Sequence, residues 1–351
     1  MKITALYHPD QITLMFTLYP ILRSRYARLF EFTPDPQAVW RSRNRAIVLF
    51  RFVHLTAKAG GVAYLERVRQ KFERVVYFDD LADPREVMDE AISLVDLYFK
   101  KQLLADRGLY GKPAYGNRFF TNYYHEKYGV VDEQPATARP LTTSETSKLR
   151  LSWNLGIGSY PKDRIRKAIC TRLGARGLVR PLRFVLVDPR RHRIGPKTIR
   201  KASSRFRAAM DRRTVVFHRE LFLRAAESRP DLFLTGHLPL ERYNRELADS
   251  AAALSPFGWG EICFRDFEAI INGAVLLKPS MSHIETWPDV YRAGTYVSLD
   301  WDATDVLSRT EEILADEKRR SEITEAALAA YHDGLRRAGE KVQSFVEEVL
   351  R

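Results

Sequence analysis

The sequence predicts an α/β fold in two lobes, and three observations predict it. Short apolar runs alternate with helix-period segments along the chain, the pattern of parallel sheets joined by crossover helices. At 351 residues the chain is long for one domain and suits two. Near its middle, residues 153–161 (WNLGIGSYP) are glycine-punctuated and give way to a basic stretch, which marks a boundary near Gly158–Gly177. The expected division is a first domain over 1–165, a second over 166–330, and a final helix over 331–351 that packs back on the first.

Taken in order, Ile3–Tyr7, Ala46–Val53, Val75–Phe78 and Ser93–Tyr98 read as strands. Val62–Phe72 reads as a helix, because Val62, Leu65, Val68 and Phe72 recur at three and four residues. Asp106–Val130 is rich in Tyr, Phe, Gly and Asn without a clean period, and is expected to be a long structured loop. Asp132–Thr146 reads as a surface connection. A second series follows, with strands expected at Arg183–Val187, Thr214–His218 and Leu232–Thr235. Leu240–Ser250 is an amphipathic helix with Leu240, Tyr243 and Leu247 on one side. Ala251–Pro256 is a strand, Arg265–Asn272 a helix stopped by Gly273, and Ala274–Lys278 an apolar strand of the buried parallel kind. Thr295–Leu299 reads as a strand, and Asp305–Leu314 and Glu322–Arg351 as helices.

Charge is concentrated. The segment Pro161–Glu220 holds 19 Lys+Arg against 4 Asp+Glu, while the remainder holds 38 against 40. All of the net +13 therefore comes from one central segment, which attracts nucleic acid, an anionic membrane surface or phosphorylated small molecules. No apolar run approaches the ~20 residues of a membrane span. Met1–His8 has too short an apolar stretch for a secretory signal. The two cysteines, Cys170 and Cys263, make neither a disulfide framework nor a metal cluster. A cytoplasmic protein, at most peripheral at the inner face of the membrane, is expected, with no metal and no cofactor.

The densest chemical signal is residues 254–279, LSPFGWGEICFRDFEAIINGAVLLKP. Its order is strand, glycine loop, helix, glycine stop, strand. Ligands of open parallel sheets sit beyond the carboxyl ends of the strands. Ser255 lies at such an end, and Gly258 and Gly260 let backbone approach a ligand. The helix start that follows offers N–H groups to phosphate. Arg265, in its first turn, adds a fork suited to phosphate oxygens. Glu268, one turn on, can accept hydrogen bonds from a ribose diol.

This run resembles the C-terminal half of GT-B glycosyltransferases, through Gly258–Gly260, Glu268-Ala269, Gly273 and Val275–Leu277. The continuation over 280–288 (SMSHIETWP) resembles the exostosin-like and group 1 bacterial surface-polysaccharide transferases. The resemblance implies two Rossmann-like lobes facing across a cleft, a nucleotide-sugar donor, and a glycan or lipid-linked acceptor. It implies that Glu268 holds the donor ribose and that Glu261 contacts the sugar, one residue off the usual spacing.

Around this motif, Arg205, Arg207, Arg212, Arg213 and Arg219 are candidates to stabilise the leaving diphosphate, and Arg219 is taken with the donor site. His283, in a loop beyond the apolar strand, is a candidate for phosphate or a sugar hydroxyl. Asp79-Asp80 ends a strand on the crevice side, where Asp80 can deprotonate an acceptor hydroxyl. Asp300-Trp301-Asp302 has the form of a metal-binding acid pair, against which a helix cap competes. Two other classes stay open: a nucleic-acid-binding protein using the basic segment, disfavoured by the absence of zinc-finger or ribonucleoprotein motifs, and a nucleotide-sugar epimerase on the same fold.

Overall fold

The computed structural model describes residues 2–51, 60–160, 164–187, 194–210 and 212–351. The first half contributes strands β1 (Ile3–Tyr7), β2 (Phe30–Thr33), β3 (Ala46–Phe50), β4 (Arg74–Asp79), β5 (Leu97–Lys100), β6 (Gln102–Leu104), β7 (Ala114–Tyr115), β8 (Thr137–Ala138) and β9 (Leu149–Leu151). The second contributes β10 (Ile199–Ser203), β11 (Phe233–Leu234), β12 (Ser250–Leu254), β13 (Val275–Pro279), β14 (Ile284–Thr286) and β15 (Val297–Leu299). Among the described residues these make two parallel sheets, ordered β2-β1-β3-β4-β5-β9 and β11-β10-β12-β13-β15. The central strands are buried along their whole length, which is why they read as unbroken apolar runs. The protein is thus α/β, with two Rossmann-like lobes.

Several expected elements change. Thr214–His218 is not a strand but the start of the helix Arg213–Glu227, which buries Val215, His218, Phe222 and Ala226 at three- and four-residue spacing. The β-branched pair Val215-Val216 is overridden by that longer period. Arg183–Val187 is likewise not a strand: the helical turn Leu182–Val185 begins after Pro181, whose φ of −61° suits a helix start. The expected loop Asp106–Val130 contains the helix Phe119–Tyr128, which buries Phe120 and Tyr124 one turn apart. The connection over 132–146 runs into the turn Thr143–Ser147, closed by a Thr142–Glu145 capping box. The expected strand Ser93–Tyr98 lies at Leu97–Lys100 instead. Val53, the expected end of β3, lies outside the described residues. Strand β10 was hidden because Arg200 and Lys201 interrupt its apolar pattern, and only Ala202 and Ser203 of it are fully buried.

The first lobe extends further than residue 165. The helix Arg164–Ala175 packs on it, with Tyr7 Oη donating to the Gly174 carbonyl at 2.6 Å, and the turn Leu182–Val185 packs beside it. Residues 164–187 thus lie with the first lobe, and β10 with the second.

Among the features that bind the lobes together, three stand out. Strand β6 of the first pairs antiparallel with β14 of the second. Asn154, after β9, donates from Nδ2 to Thr286 Oγ1 (2.8 Å) and the Pro288 carbonyl (2.9 Å). The last helix, Glu317–Leu350, packs on the second lobe with its earlier part and on the first with its later part. There Phe345 lies edge-on to Phe78 (5.7 Å), Phe99 (4.8 Å) and Trp153 (5.5 Å). Phe345→Ala is expected to cost about 3–5 kcal/mol, read as a lowered denaturant midpoint.

Candidate functional site

A cavity of about 1170 Å³ opens between the lobes. The second lobe presents Arg205, Phe206, Arg207, Arg219, Tyr243, Gly258–Gly260, Cys263, Phe264, Arg265 and Glu268; the first presents Arg51, Asp80, Glu86, Lys101 and Arg118.

On the second lobe the helix Phe264–Asn272 starts at the cavity wall and ends at Gly273, whose φ of +71° is a left-handed turn that glycine accommodates. Its start is fixed from behind. Asp266 accepts from Ser255 Oγ (2.6 Å), Tyr291 Oη (2.7 Å) and the Cys263 N–H (3.0 Å), and pairs with the buried Lys278 at 3.0 Å. His218 accepts the Phe257 N–H on Nε2 at 2.8 Å and meets Tyr124 Oη at Nδ1 (2.7 Å). Burial holds its pKa well below the ordinary histidine value, so the neutral ring pins the glycine loop.

Arg265 and Arg219 both stack on Phe206, at 5.7 and 5.2 Å, and each is aimed by a main-chain carbonyl: Arg265 Nη2 donates to Arg205 O (2.8 Å), and Arg219 Nη1 to Phe257 O (2.8 Å). Burial lowers the Arg219 pKa to about 10, which leaves it charged at neutral pH. Glu268 accepts from Tyr243 Oη at 2.9 Å, and burial raises its carboxyl.

On the first lobe the two acids at the end of β4 part company. Asp79 is buried and spent on Lys100 (2.6 Å), Tyr98 Oη (2.9 Å) and the Leu81 N–H (2.7 Å). Asp80 faces the cavity. A single π turn, Thr13–Thr17, brings Thr17 Oγ1 to 2.8 Å and Thr13 Oγ1 to 3.4 Å from its Oδ2. Its Oδ1 is buried without a hydrogen bond, 3.7 Å from Arg51 Nε. Arg51 holds that position with a φ of +55°, the left-handed region that costs a non-glycine residue about 1–3 kcal/mol. Burial raises the Asp80 carboxyl, opposed by Arg51 and Lys101. Burial also lowers Lys101 to about 8. Arg118 is buried beside Trp259, 5.5 Å from its ring, with Nε and Nη1 unpartnered.

The sequence-derived candidates therefore divide. Asp80, Arg219, Gly258, Gly260, Arg265 and Glu268 converge on the cavity. Ser255 lies beneath the loop, engaged with Asp266. Glu261 and His283 lie behind the loop with 3.3 Å between Oε1 and Nε2, and His283 stacks on Phe119 at 5.2 Å. Burial raises Glu261 to about 8 and lowers His283 to about 4, so both are mostly neutral near pH 7, and neither lines the cavity. Gly260 serves lobe contact: a Cβ there would stand 1.9 Å from the Ala82 carbonyl oxygen. Asp302 is held by Tyr123 Oη (2.7 Å) and Lys127, and Asp300 by Thr304 (3.0 Å), which gives this acid pair anchoring work. Arg212 donates to the Gly116 carbonyl, and Arg213 pairs with Glu133 at 3.4 Å, both away from the helix Phe264–Asn272. Reasoning from sequence missed Arg51, Lys101, Arg118 and Trp259.

Because Glu261 keeps its proton in the folded state but has an ordinary pKa of 4.5, stability falls as pH rises from 4.5 to about 8. Glu261→Gln removes that dependence. The variant is expected to melt several degrees above the parent at pH 8, with the gap closing toward pH 4.5; parallel melting curves would contradict the assignment.

No family model and no curated protein sequence matches the chain. Solved structures do resemble it. The pneumococcal O-GlcNAc transferase GtfA, in complex with UDP and GlcNAc, aligns at 12% identity and a TM-score of 0.44 over 90% of this chain and 60% of that one. This chain thus spans less than two thirds of that protein. Anabaena HepE in complex with UDP aligns at 10% identity and a TM-score of 0.48, covering 99% and 100%. T4 phage beta-glucosyltransferase aligns at 10% and 0.46, covering 99% of each. Two parallel sheets facing across a cleft, strapped together and crossed by the last helix, give the chain the GT-B fold.

Proposed function

We propose that the protein transfers a glycosyl group from a nucleotide-sugar donor to a hydroxyl of a glycan or lipid-linked acceptor. The observation that carries this reading is the division of labour across one cavity. Fixed guanidinium groups and Glu268 stand at a helix start on one lobe, and a raised, half-unpartnered carboxylate stands on the other. Glu268 takes the ribose hydroxyls. Arg265 and Arg219 take the diphosphate and offset the charge that develops as it leaves. Trp259, half exposed at the cavity, offers a ring face to a sugar. Asp80 receives the acceptor proton.

The test is calorimetry with a panel of nucleoside diphosphates and nucleotide sugars. One of them is expected to bind, and Glu268→Ala to weaken it by about 10- to 100-fold, the worth of a hydrogen bond to a charged group. Unchanged affinity in the variant, or no binding across the panel, would overturn the assignment. Incubation with donor alone separates an epimerase, which needs no acceptor to form product.

A further inference from the structure

The basic segment splits in two in the structure. Its later part sends Arg205, Arg207 and Arg219 into the cavity. Its earlier part, residues 164–187, holds seven Lys and Arg and no Asp or Glu. It forms the helix Arg164–Ala175 and the turn Leu182–Val185 on the outside of the first lobe.

These elements turn Cys170, Val179, Leu182 and Leu186 inward. Outward they leave large apolar side chains bare: Phe184 is 77% exposed and Ile165 72%, with Leu178 and Ile169 also exposed. Ile165 and Ile169 stand one turn apart on the helix. Arg166 donates to the Val185 carbonyl at 3.4 Å, which ties this helix to the turn that carries Phe184. Beside Phe184 runs a groove of about 340 Å³ lined by Leu22, Ala27, Arg28, Arg180 and Arg183. The Arg183 guanidinium lies 4.6 Å from the Phe184 ring centre.

Bare apolar side chains set among cations narrow the choice of partner. Nucleic acid would engage the arginines through phosphate and leave Phe184 and Ile165 unused. An anionic bilayer uses both, with headgroups taking the cations and the acyl boundary taking the apolar side chains. Lys167, on the opposite side of the same helix, lines a recess of about 160 Å³ shared with Glu268 and Phe264, so the helix runs beside the cleft with its apolar side chains turned away from it.

We propose that the face formed by Ile165, Ile169, Leu178 and Phe184 with Arg166, Arg180 and Arg183 docks on an anionic membrane surface. Resting on the transferase reading, that docking presents the cleft to an acceptor anchored in the bilayer.

Flotation with vesicles tests it. The whole protein is expected to float with phosphatidylcholine vesicles containing about 30% phosphatidylglycerol, and not with phosphatidylcholine alone. The Ile165→Ser/Phe184→Ser double variant is expected to lose about tenfold in bound fraction, and Arg183→Glu a smaller amount in the same direction, with melting temperature and nucleotide-sugar affinity unchanged. Absence of flotation with the anionic vesicles, or flotation that tolerates the double serine variant, overturns the proposal. So does duplex DNA binding at the same salt that survives the serine changes while vesicle binding is missing. Calorimetry on the same samples keeps the two readings apart: vesicle binding without nucleotide-sugar binding leaves the membrane face standing and removes the transferase.

Discussion

Asp80→Asn is expected to lower turnover by about 10²- to 10⁴-fold, the range for loss of a general base, while nucleotide-sugar affinity stays within about twofold. Asparagine fills the same space and can still accept from Thr17, but it cannot take a proton. The groups proposed to hold the donor belong to the other lobe and keep their own supports, Tyr243 for Glu268 and the Arg205 carbonyl for Arg265. Loss therefore falls on the rate constant and spares the binding term. Since burial raises the Asp80 carboxyl above its ordinary 3.8, the parent rate is expected to fall on the acid side at a pH above that value. Below that point the carboxyl is protonated and inactive; the residual activity of the variant is expected to lack this limb. A variant with full turnover, or one that also loses the donor, would remove Asp80 from the base role.

The second large effect is structural. Gly260→Ala places a methyl group 1.9 Å from the Ala82 carbonyl oxygen, 2.3 Å from its carbon and 2.9 Å from its Cβ. Two of those atoms are main chain, and Gln102 donates to the same carbonyl, so the neighbour cannot swing aside. The glycine loop and the first lobe must part, at a cost of about 3 kcal/mol. Donor affinity is expected to fall with it, because the loop leads into the helix that carries Arg265 and Glu268. Gly258→Ala is the control two residues away. Its Cβ would meet Arg219 Nη1 at 3.5 Å and Cys263 Sγ at 3.6 Å, ordinary contacts, so its melting temperature is expected to stay within a few degrees of the parent. Equal destabilisation by the two changes would contradict the close approach at Gly260.

The second lobe's wall of the cavity was legible because it is local. Strand, glycine loop, helix, glycine stop and strand follow one another within 254–279, and each step has a residue signature. Legibility ended where the period ended. Within helix 264–272 the spacing puts Arg265 and Glu268 on one side, and both line the cavity. In the loops no period fixes direction, so Ser255, Glu261 and His283 were near the site in sequence yet turn behind it. Arg51, Lys101 and Arg118 come from three separate segments that only the fold unites, and no spacing announces them. Valines at 215 and 216 suggested a strand, but burial repeating through Phe222 and Ala226 decides for helix over fifteen residues. In the same way the aromatics over 119–128 looked patternless because the helix they form is covered on more than one side, by β7 and by the helix Arg213–Glu227.

The strap of β6 on β14 has a consequence for how such a chain can change over time. A donor half joined to its neighbour by a loop alone could be exchanged as a cassette, trading one sugar specificity for another. Here a graft would have to bring a strand to match β6, partners for Asn154 and a last helix carrying an aromatic plug at residue 345. New specificity in this lineage is therefore expected to arise by point changes in the cavity wall and not by swapping halves.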